Sequence, residues 1–142
     1  MLENMPMASL LTILKKNYVQ YLEQNIIVDN VQTAEFPILL VLKKHDNITQ
    51  KELADYLYYS EGLITRFIKR LEENDYIKRS VNPKNKREKI ITITSKGIKL
   101  ADEIDDHKNE WEKNIFGFLS EDQLLKFKNN IYKAIENSEK MI

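Results

Sequence analysis

A mainly α-helical chain carrying one small β-hairpin is what this sequence predicts, and three observations predict it. Only 3 Gly and 3 Pro punctuate 142 residues, which leaves little chain for loops. Apolar residues recur at three-to-four spacing over most of the length, the period of a helix with one buried face. The exception is the stretch 76–94, where aromatic and β-branched residues flank a polar centre, the pattern of two strands around a turn.

Size and composition bound the rest. The chain is the length of a single domain, 1–142, and can bury about two thirds of the surface that its unfolded form exposes. Hydrophobic residues make up 42% and charged residues 31%, an ordinary globular balance. The absence of Cys excludes a disulfide framework, a thiolate zinc site and a thiol redox switch, and points to the cytoplasm. The apolar run from Met5 to Leu14 follows an acidic residue, contains Ser and Thr and lacks a small-residue cleavage pattern, so it reads as helix and not as a signal peptide. No stretch approaches the roughly 20 apolar residues of a membrane span, so no membrane partner is expected.

Leu10, Leu14, Tyr18, Tyr21 and Leu22 stripe a first helix over residues 5–28. Thr33 is the expected cap of a second, which runs to Lys43 and tolerates Pro37 in its first turn. His45-Asp46-Asn47 ends it. Thr49, with Glu52 three residues on, makes a capping box and opens a short third helix from Gln50 to Leu57, with Leu53, Ala54 and Leu57 inward. Only Tyr58-Tyr59 separates it from Ser60, the cap of a fourth helix that runs to Glu73, and two helices joined so tightly make a helix-turn-helix. Tyr76 to Ser80 then forms one strand, Val81 to Arg87 a polar loop, and Lys89 to Thr94 the returning strand. Thr94 or Ser95 starts a fifth helix, striped by Ile98, Ala101, Ile104, Trp111 and Ile115 and interrupted at Lys108. Ser120 with Gln123 is a second capping box, and Leu124, Phe127, Ile131 and Ile135 stripe the sixth helix. The layout is a winged helix-turn-helix flanked by helices at both ends.

Net charge is zero, yet the charges are not spread evenly. Residues 63–99 hold 11 Lys and Arg against 4 Asp and Glu, a local excess of +7, while the segments on either side are acidic. That concentration is what neutralising phosphates requires, and double-stranded DNA is the partner it suggests. On a helical wheel the fourth helix puts Leu63, Ile64, Phe67, Ile68 and Leu71 on one side. The other side, opened by Ser60, presents Gly62, Thr65, Arg66, Lys69 and Glu73, with Glu61 and Arg70 at its margins. Arg can bond bidentately to guanine, Thr can touch a thymine methyl or donate, and Gly62 lets the backbone approach closely. Beside it the hairpin gathers Lys84, Asn85, Lys86, Arg87 and Lys89, a cationic wing suited to the minor groove, with Arg87 favoured where an A·T-rich groove is narrow.

By these residues the stretch from Thr33 to Gly97 resembles the multiple-antibiotic-resistance regulator (MarR) family of winged-helix repressors. The resemblance is carried by Gln50-Lys51-Glu52-Leu53-Ala54, by Ser60 through Glu73, by Asn85-Lys86-Arg87 and by Ile93-Thr94-Ser95-Lys96-Gly97. The flanking helices match the family's layout too. Two positions depart from it. The wing has Asn85-Lys86-Arg87 where the family usually has Asp-x-Arg, which removes a charge partner that helps orient the Arg, and Asp75 stands where a Gly usually follows the recognition helix. Asn74 or Asp75 can adopt the left-handed turn that Gly would give.

The resemblance implies a transcriptional repressor in which the winged lobe, residues 33–97, is carried on dimerisation helices at 5–28 and 95–140. It implies a homodimer that binds a pseudo-palindromic operator, with recognition helices about one DNA turn, roughly 34 Å, apart. Leu10, Leu14, Trp111, Leu124, Phe127, Ile131 and Ile135 are the expected seam, since one small winged lobe could hardly cover the apolar faces of three long helices; the alternative is that these faces pack into an intramolecular helical bundle. A small-molecule effector, typically a phenolic anion that releases DNA, is a further implication. Tyr18, Tyr21 and Trp111 are aromatic enough to line such a cleft but sit at core spacing, so no residue is assigned to it.

No catalytic residue, metal site or cofactor is expected. His45 and His107 have no partner pattern, and Asp102, Glu103, Asp105, Asp106 and His107 are near-consecutive on a helix, so their side chains diverge. Phosphate loops, H-E-x-x-H and G-x-S-x-G are absent from the sequence. The rival reading is a winged helix whose basic face docks an acidic protein without specific DNA binding.

Overall fold

A computed structural model of the chain describes residues 2–142. A 3₁₀ turn, Leu2–Asn4, precedes α1, Met7–Asn25. This helix is shorter at both ends than the expected 5–28, because Pro6 caps it in an extended conformation and Ile26 is extended beyond it. Leu22 and Ile26 of this segment are buried in the core, and Tyr18 and Tyr21 pack against it half-buried. The second helix opens differently from the expectation that Thr33 caps it. Gln32 takes the cap position of a 3₁₀ turn, Thr33–Glu35, and the Glu35 carboxylate accepts from the Gln32 N–H at 2.6 Å. The chain then passes directly into α2, Phe36–Lys44, with Pro37 in its first turn.

Next come a two-residue strand β1, Ile48–Thr49, and helices α3, Gln50–Leu57, and α4, Glu61–Glu73. Both helix starts follow the sequence: the Thr49 hydroxyl accepts from the Glu52 N–H at 3.1 Å, and the Ser60 hydroxyl from the Leu63 N–H at 3.2 Å. The connection is tight because Tyr58, at φ 58°, turns through the left-handed region. Asp75, at φ 63°, makes the same kind of turn after α4, the role foreseen for Asn74 or Asp75.

Strands β2, Ile77–Asn82, and β3, Asn85–Ile93, form the hairpin, and with β1 they make an antiparallel sheet in the order β1-β3-β2. The hairpin corrects the sequence reading in two ways. The polar stretch Val81–Arg87 is not a loop: Asn85, Lys86 and Arg87 belong to β3, and the turn is only Pro83-Lys84. Asn82 tightens it by accepting from the Lys84 N–H, and a bulge falls at Val81/Asn82. A hairpin tip solvated on both faces has no apolar alternation to reveal its strands. The second correction is β1 itself, which pairs Ile48 with Ile91 and Thr49 with Ile90 and so sews the start of α3 to the returning strand.

Helix α5, Ser95–Ile115, starts under tight constraint. The Thr94 hydroxyl donates to the Asp75 carbonyl at 2.6 Å and accepts from the Gly97 N–H at 3.1 Å. Gly97 is obligatory there, since a Cβ would stand 2.2 Å from the Tyr76 carbonyl oxygen. Its buried face is Gly97, Leu100, Ala101 and Ile104, while Ile98, read as part of the stripe, is exposed. Asp102 and Asp105 turn to Lys43 of α2 at 2.6 and 2.9 Å, and Asp105 also takes Lys108 at 2.8 Å, so the acidic cluster ties α5 to α2.

The chain divides within α5 into two compact units, the first ending at Lys108 and the second comprising Asn109–Ile142. The core of the first joins Ile38, Leu39 and Leu42 of α2, Leu53 of α3, Ile64, Ile68 and Leu71 of α4, Ile77 and Ile91 of the sheet and Ile104 of α5, each essentially inaccessible to solvent. Each such side chain contributes about 1.5–3 kcal/mol by leaving water. The second unit holds the end of α5 and α6, Glu121–Glu139, which Ser120 and Gln123 cap reciprocally as expected. Phe116 packs edge-on to Trp111 and against Phe127, but no residue of α6 is buried. Among the described residues no helix is long and apolar enough to cross a membrane.

Candidate nucleic-acid interface

Helix α4 is positioned by its apolar side, where Ile64, Phe67, Ile68 and Leu71 are buried and Leu63 half-buried. That packing leaves Gly62, Thr65, Arg66, Lys69 and Glu73 on the outside, all exposed. Among the described residues, no atom beyond its own helix turn and chain neighbours lies within 4 Å of where a Cβ on Gly62 would stand, so the first turn of α4 is open to close approach. Ser60 caps the helix from an exposed position, with Glu61 exposed beside it.

Arg70 stands apart from this group. It is half-buried, and its guanidinium lies 3.6 Å from Oε2 of Glu35, a carboxylate with no exposed surface. Burial pushes the Glu35 carboxyl above its ordinary value, an effect opposed by the Gln32 N–H and by Arg70 and Arg66. Its Oε1 has no hydrogen-bond partner among the described residues. Arg70 is therefore shared between the exposed margin of α4 and a buried anion beneath it.

The wing is aimed by its base. Arg79 of β2 donates to Glu72 of α4 through Nε at 3.1 Å and Nη2 at 2.7 Å, a two-pronged clamp that pulls the Glu72 carboxyl below its usual range. In β3 Lys89 shares a face with buried Ile91, and beyond it residues 86–88 have no partner in β2, a bulge that breaks the alternation toward Asn85. Arg87, Glu88 and Lys89 of β3, Glu61 and Thr65 of α4 and Gln50, Lys51 and Asp55 of α3 line one cleft of about 310 Å³, in which cations and acids are balanced. Lys84 in the turn and Asn85 and Lys86 at the strand's outer end are exposed and do not line it. The Asn85 side chain accepts from the Arg87 N–H at 3.1 Å, a local bond made where the family usually has Asp.

Two contributors escaped the sequence reading. Gln50 donates from Nε2 to the Thr65 hydroxyl at 3.0 Å, and Arg79 holds the wing; neither interaction has a short-range signature, since the partners are brought together only by the fold.

Comparison with known proteins follows the same lines. A family profile described as the MarR family matches residues 32–89, from the cap of the 3₁₀ turn to the end of the cationic wing. YwoH of Bacillus subtilis (strain 168), named as an uncharacterized HTH-type transcriptional regulator, is 33% identical over 92 residues, 64% of this chain and 66% of that protein. The crystal structure of MarR superposes with a TM-score of 0.79 at 27% identity, covering 97% of this chain and 94% of that one. The chain belongs to the MarR family. It is a winged-helix transcriptional regulator of that family. The MarR fold extends to Staphylococcus aureus MepR in its complex with DNA, at a TM-score of 0.84 and 24% identity over 94% of this chain and 99% of that one.

Proposed function

We propose that this MarR-family chain is a sequence-specific DNA-binding repressor that acts in the cytoplasm as a homodimer on a pseudo-palindromic operator. The observation that carries the reading is the exposed polar face of α4, with Gly62, Thr65, Arg66 and Lys69, whose Thr65 edge shares one cleft with Arg87 and Lys89 of β3. An α-helix fits the major groove, roughly 12 Å wide, and a two-stranded ribbon beside it reaches the flanking backbone or minor groove. In this reading Gly62, Thr65, Arg66 and Lys69 meet base edges and adjacent phosphates. Ser60, Glu61 and Arg70 frame them, and Lys84, Asn85, Lys86, Arg87 and Lys89 follow the flank. MepR, of the same fold, is described bound to DNA, which supports it.

The homodimer joins through the 5–28 and 95–140 helices, with Leu10, Leu14, Trp111, Leu124, Phe127, Ile131 and Ile135 in the seam. Support comes from their exposure: the first four and Ile131 are half-buried, while Phe127 and Ile135 remain 42% and 37% exposed. Release by a small aromatic anion completes the reading; a solved relative of the same fold, PcaV of Streptomyces coelicolor, is described in complex with its natural ligand.

Selection of bound duplexes from a random pool, followed by a salt titration on the winner, tests the proposal. A two-fold symmetric site should emerge, with affinity falling by orders of magnitude between about 50 and 200 mM salt. If no duplex is selected at low salt, the reading fails and docking of an acidic protein takes its place.

A further inference from the structure

We infer that Gln50 is a positioning residue for sequence reading: it holds the Thr65 hydroxyl so that its proton points outward, making that position of α4 a reader of hydrogen-bond acceptors. The inference rests on the DNA-binding reading above and deepens it.

Gln50 is held unusually well for a polar residue near the surface. It is the first residue of α3, and the residue before it is fixed twice, by the Thr49–Glu52 capping box and by the pairing of Thr49 with Ile90. From that anchor its amide Nε2 donates to Thr65 Oγ1 at 3.0 Å, across fifteen residues of sequence and from one helix to the next. Both side chains line the cleft between α4 and β3, together with Arg87, Glu88 and Lys89 of the strand and with Asp55 and Glu61. A helical Thr ordinarily turns its hydroxyl back on its own helix, as Thr12 does in donating to the Ala8 carbonyl at 2.8 Å. Thr65 is engaged by the neighbouring helix instead.

The chemistry follows from counting. A Thr hydroxyl has one proton and two lone pairs. Gln50 supplies a proton to one lone pair, which leaves the hydroxyl's own proton to donate. In the major groove the acceptors are N7 and O6 of guanine, N7 of adenine and O4 of thymine, whereas cytosine presents only its N4 donor on that edge. A Thr65 so held favours an acceptor and disfavours cytosine at one position of each half-site. It also couples that choice to the wing, because β1 and β3 fix the backbone from which Gln50 reaches.

The test uses the full chain and duplex selection on the wild type, Gln50→Ala, Gln50→Glu, Thr65→Val and the double variant Gln50→Ala/Thr65→Val, with circular dichroism melts to verify folding. Gln50→Ala and Thr65→Val should each flatten preference at the same base pair, by up to about tenfold, and leave the other positions unchanged. The double variant should be no worse than either single one. Gln50→Glu keeps the shape but only accepts, so it should draw in the Thr65 proton and shift that position toward cytosine N4 or adenine N6. An unchanged profile in Gln50→Ala, an equal loss of affinity on every duplex, or additive losses in the double variant would each overturn the positioning role while leaving DNA binding intact. A wild-type protein that selects no duplex would overturn both readings.

Discussion

Glu35 is the residue at which local chemistry and fold pull hardest against each other. Its carboxylate closes the turn before α2 and faces Arg70, yet it has no exposed surface and, among the described residues, one oxygen without a hydrogen-bond partner. A carboxyl whose folded-state value lies above its unfolded one binds its proton more tightly in the fold. Its contribution to stability is therefore complete below about pH 4.3 and is lost as pH rises through the raised value. Glu35→Gln keeps the acceptor for the Gln32 N–H and removes the charge, so it should raise the melting temperature relative to wild type more at pH 7 than at pH 5. A difference that does not change with pH would mean that the buried carboxyl titrates normally. Arg66 belongs to the proposed interface instead: it is exposed, with its guanidinium only loosely over the Phe67 ring at 5.5 Å. Arg66→Ala should cost roughly 1–3 kcal/mol and relax preference at one position, whereas an equal loss on all duplexes would make it a phosphate contact. Arg66 and Lys69 were legible in the sequence because a wheel separates them from Ile64 and Ile68; Gln50 was not, because what distinguishes it is a partner fifteen residues away.

Among the elements, those defined by short-range rules were readable and those defined by distant pairing were not. The starts of α3, α4 and α6 follow from caps three residues long, Thr49/Glu52, Ser60 and Ser120/Gln123. By contrast, β1 is two residues whose meaning lies in Ile90 and Ile91, and the hairpin's true length is hidden because Asn85, Lys86 and Arg87 are polar on both faces. The junction of hairpin and α5 is the most sterically exacting. Gly97→Ala must push a methyl into the Tyr76 carbonyl, and it should lower stability by about 1–3 kcal/mol or more, read as a drop in denaturant midpoint. The Arg79–Glu72 clamp, about one third exposed on each side, is a different case. Arg79→Ala should lower stability by no more than about 1 kcal/mol but weaken binding most on A·T-rich flanks, because the wing loses its aim. Indifference to flank composition would count against that role.

For the whole molecule, the pattern of cover is informative: the first unit encloses a continuous apolar core, while α6 buries nothing. If Ile131 lies in the proposed dimer seam, Ile131→Asp should shift the sedimentation mass from dimer to monomer by putting a charge there, with α6 still helical by circular dichroism. A mass that stays at the dimer value would move the seam elsewhere. The winged plan was legible at this scale because the basic segment 63–99 stands out against acidic flanks, although the net charge is zero. The sheet that supports the plan also divides what can drift from what cannot. Near its inner end β3 is bonded on both edges, to β1 and β2, but from Lys89 outward only β2 accompanies it. Insertions, deletions and substitutions between Asn82 and Arg87 should leave the Ile48–Ile91 register untouched, whereas the same changes at the base should disturb the start of α3. If the outer hairpin touches DNA as proposed, descendants of such a chain can acquire new targets by remodelling it while the scaffold that presents α4 is inherited unaltered.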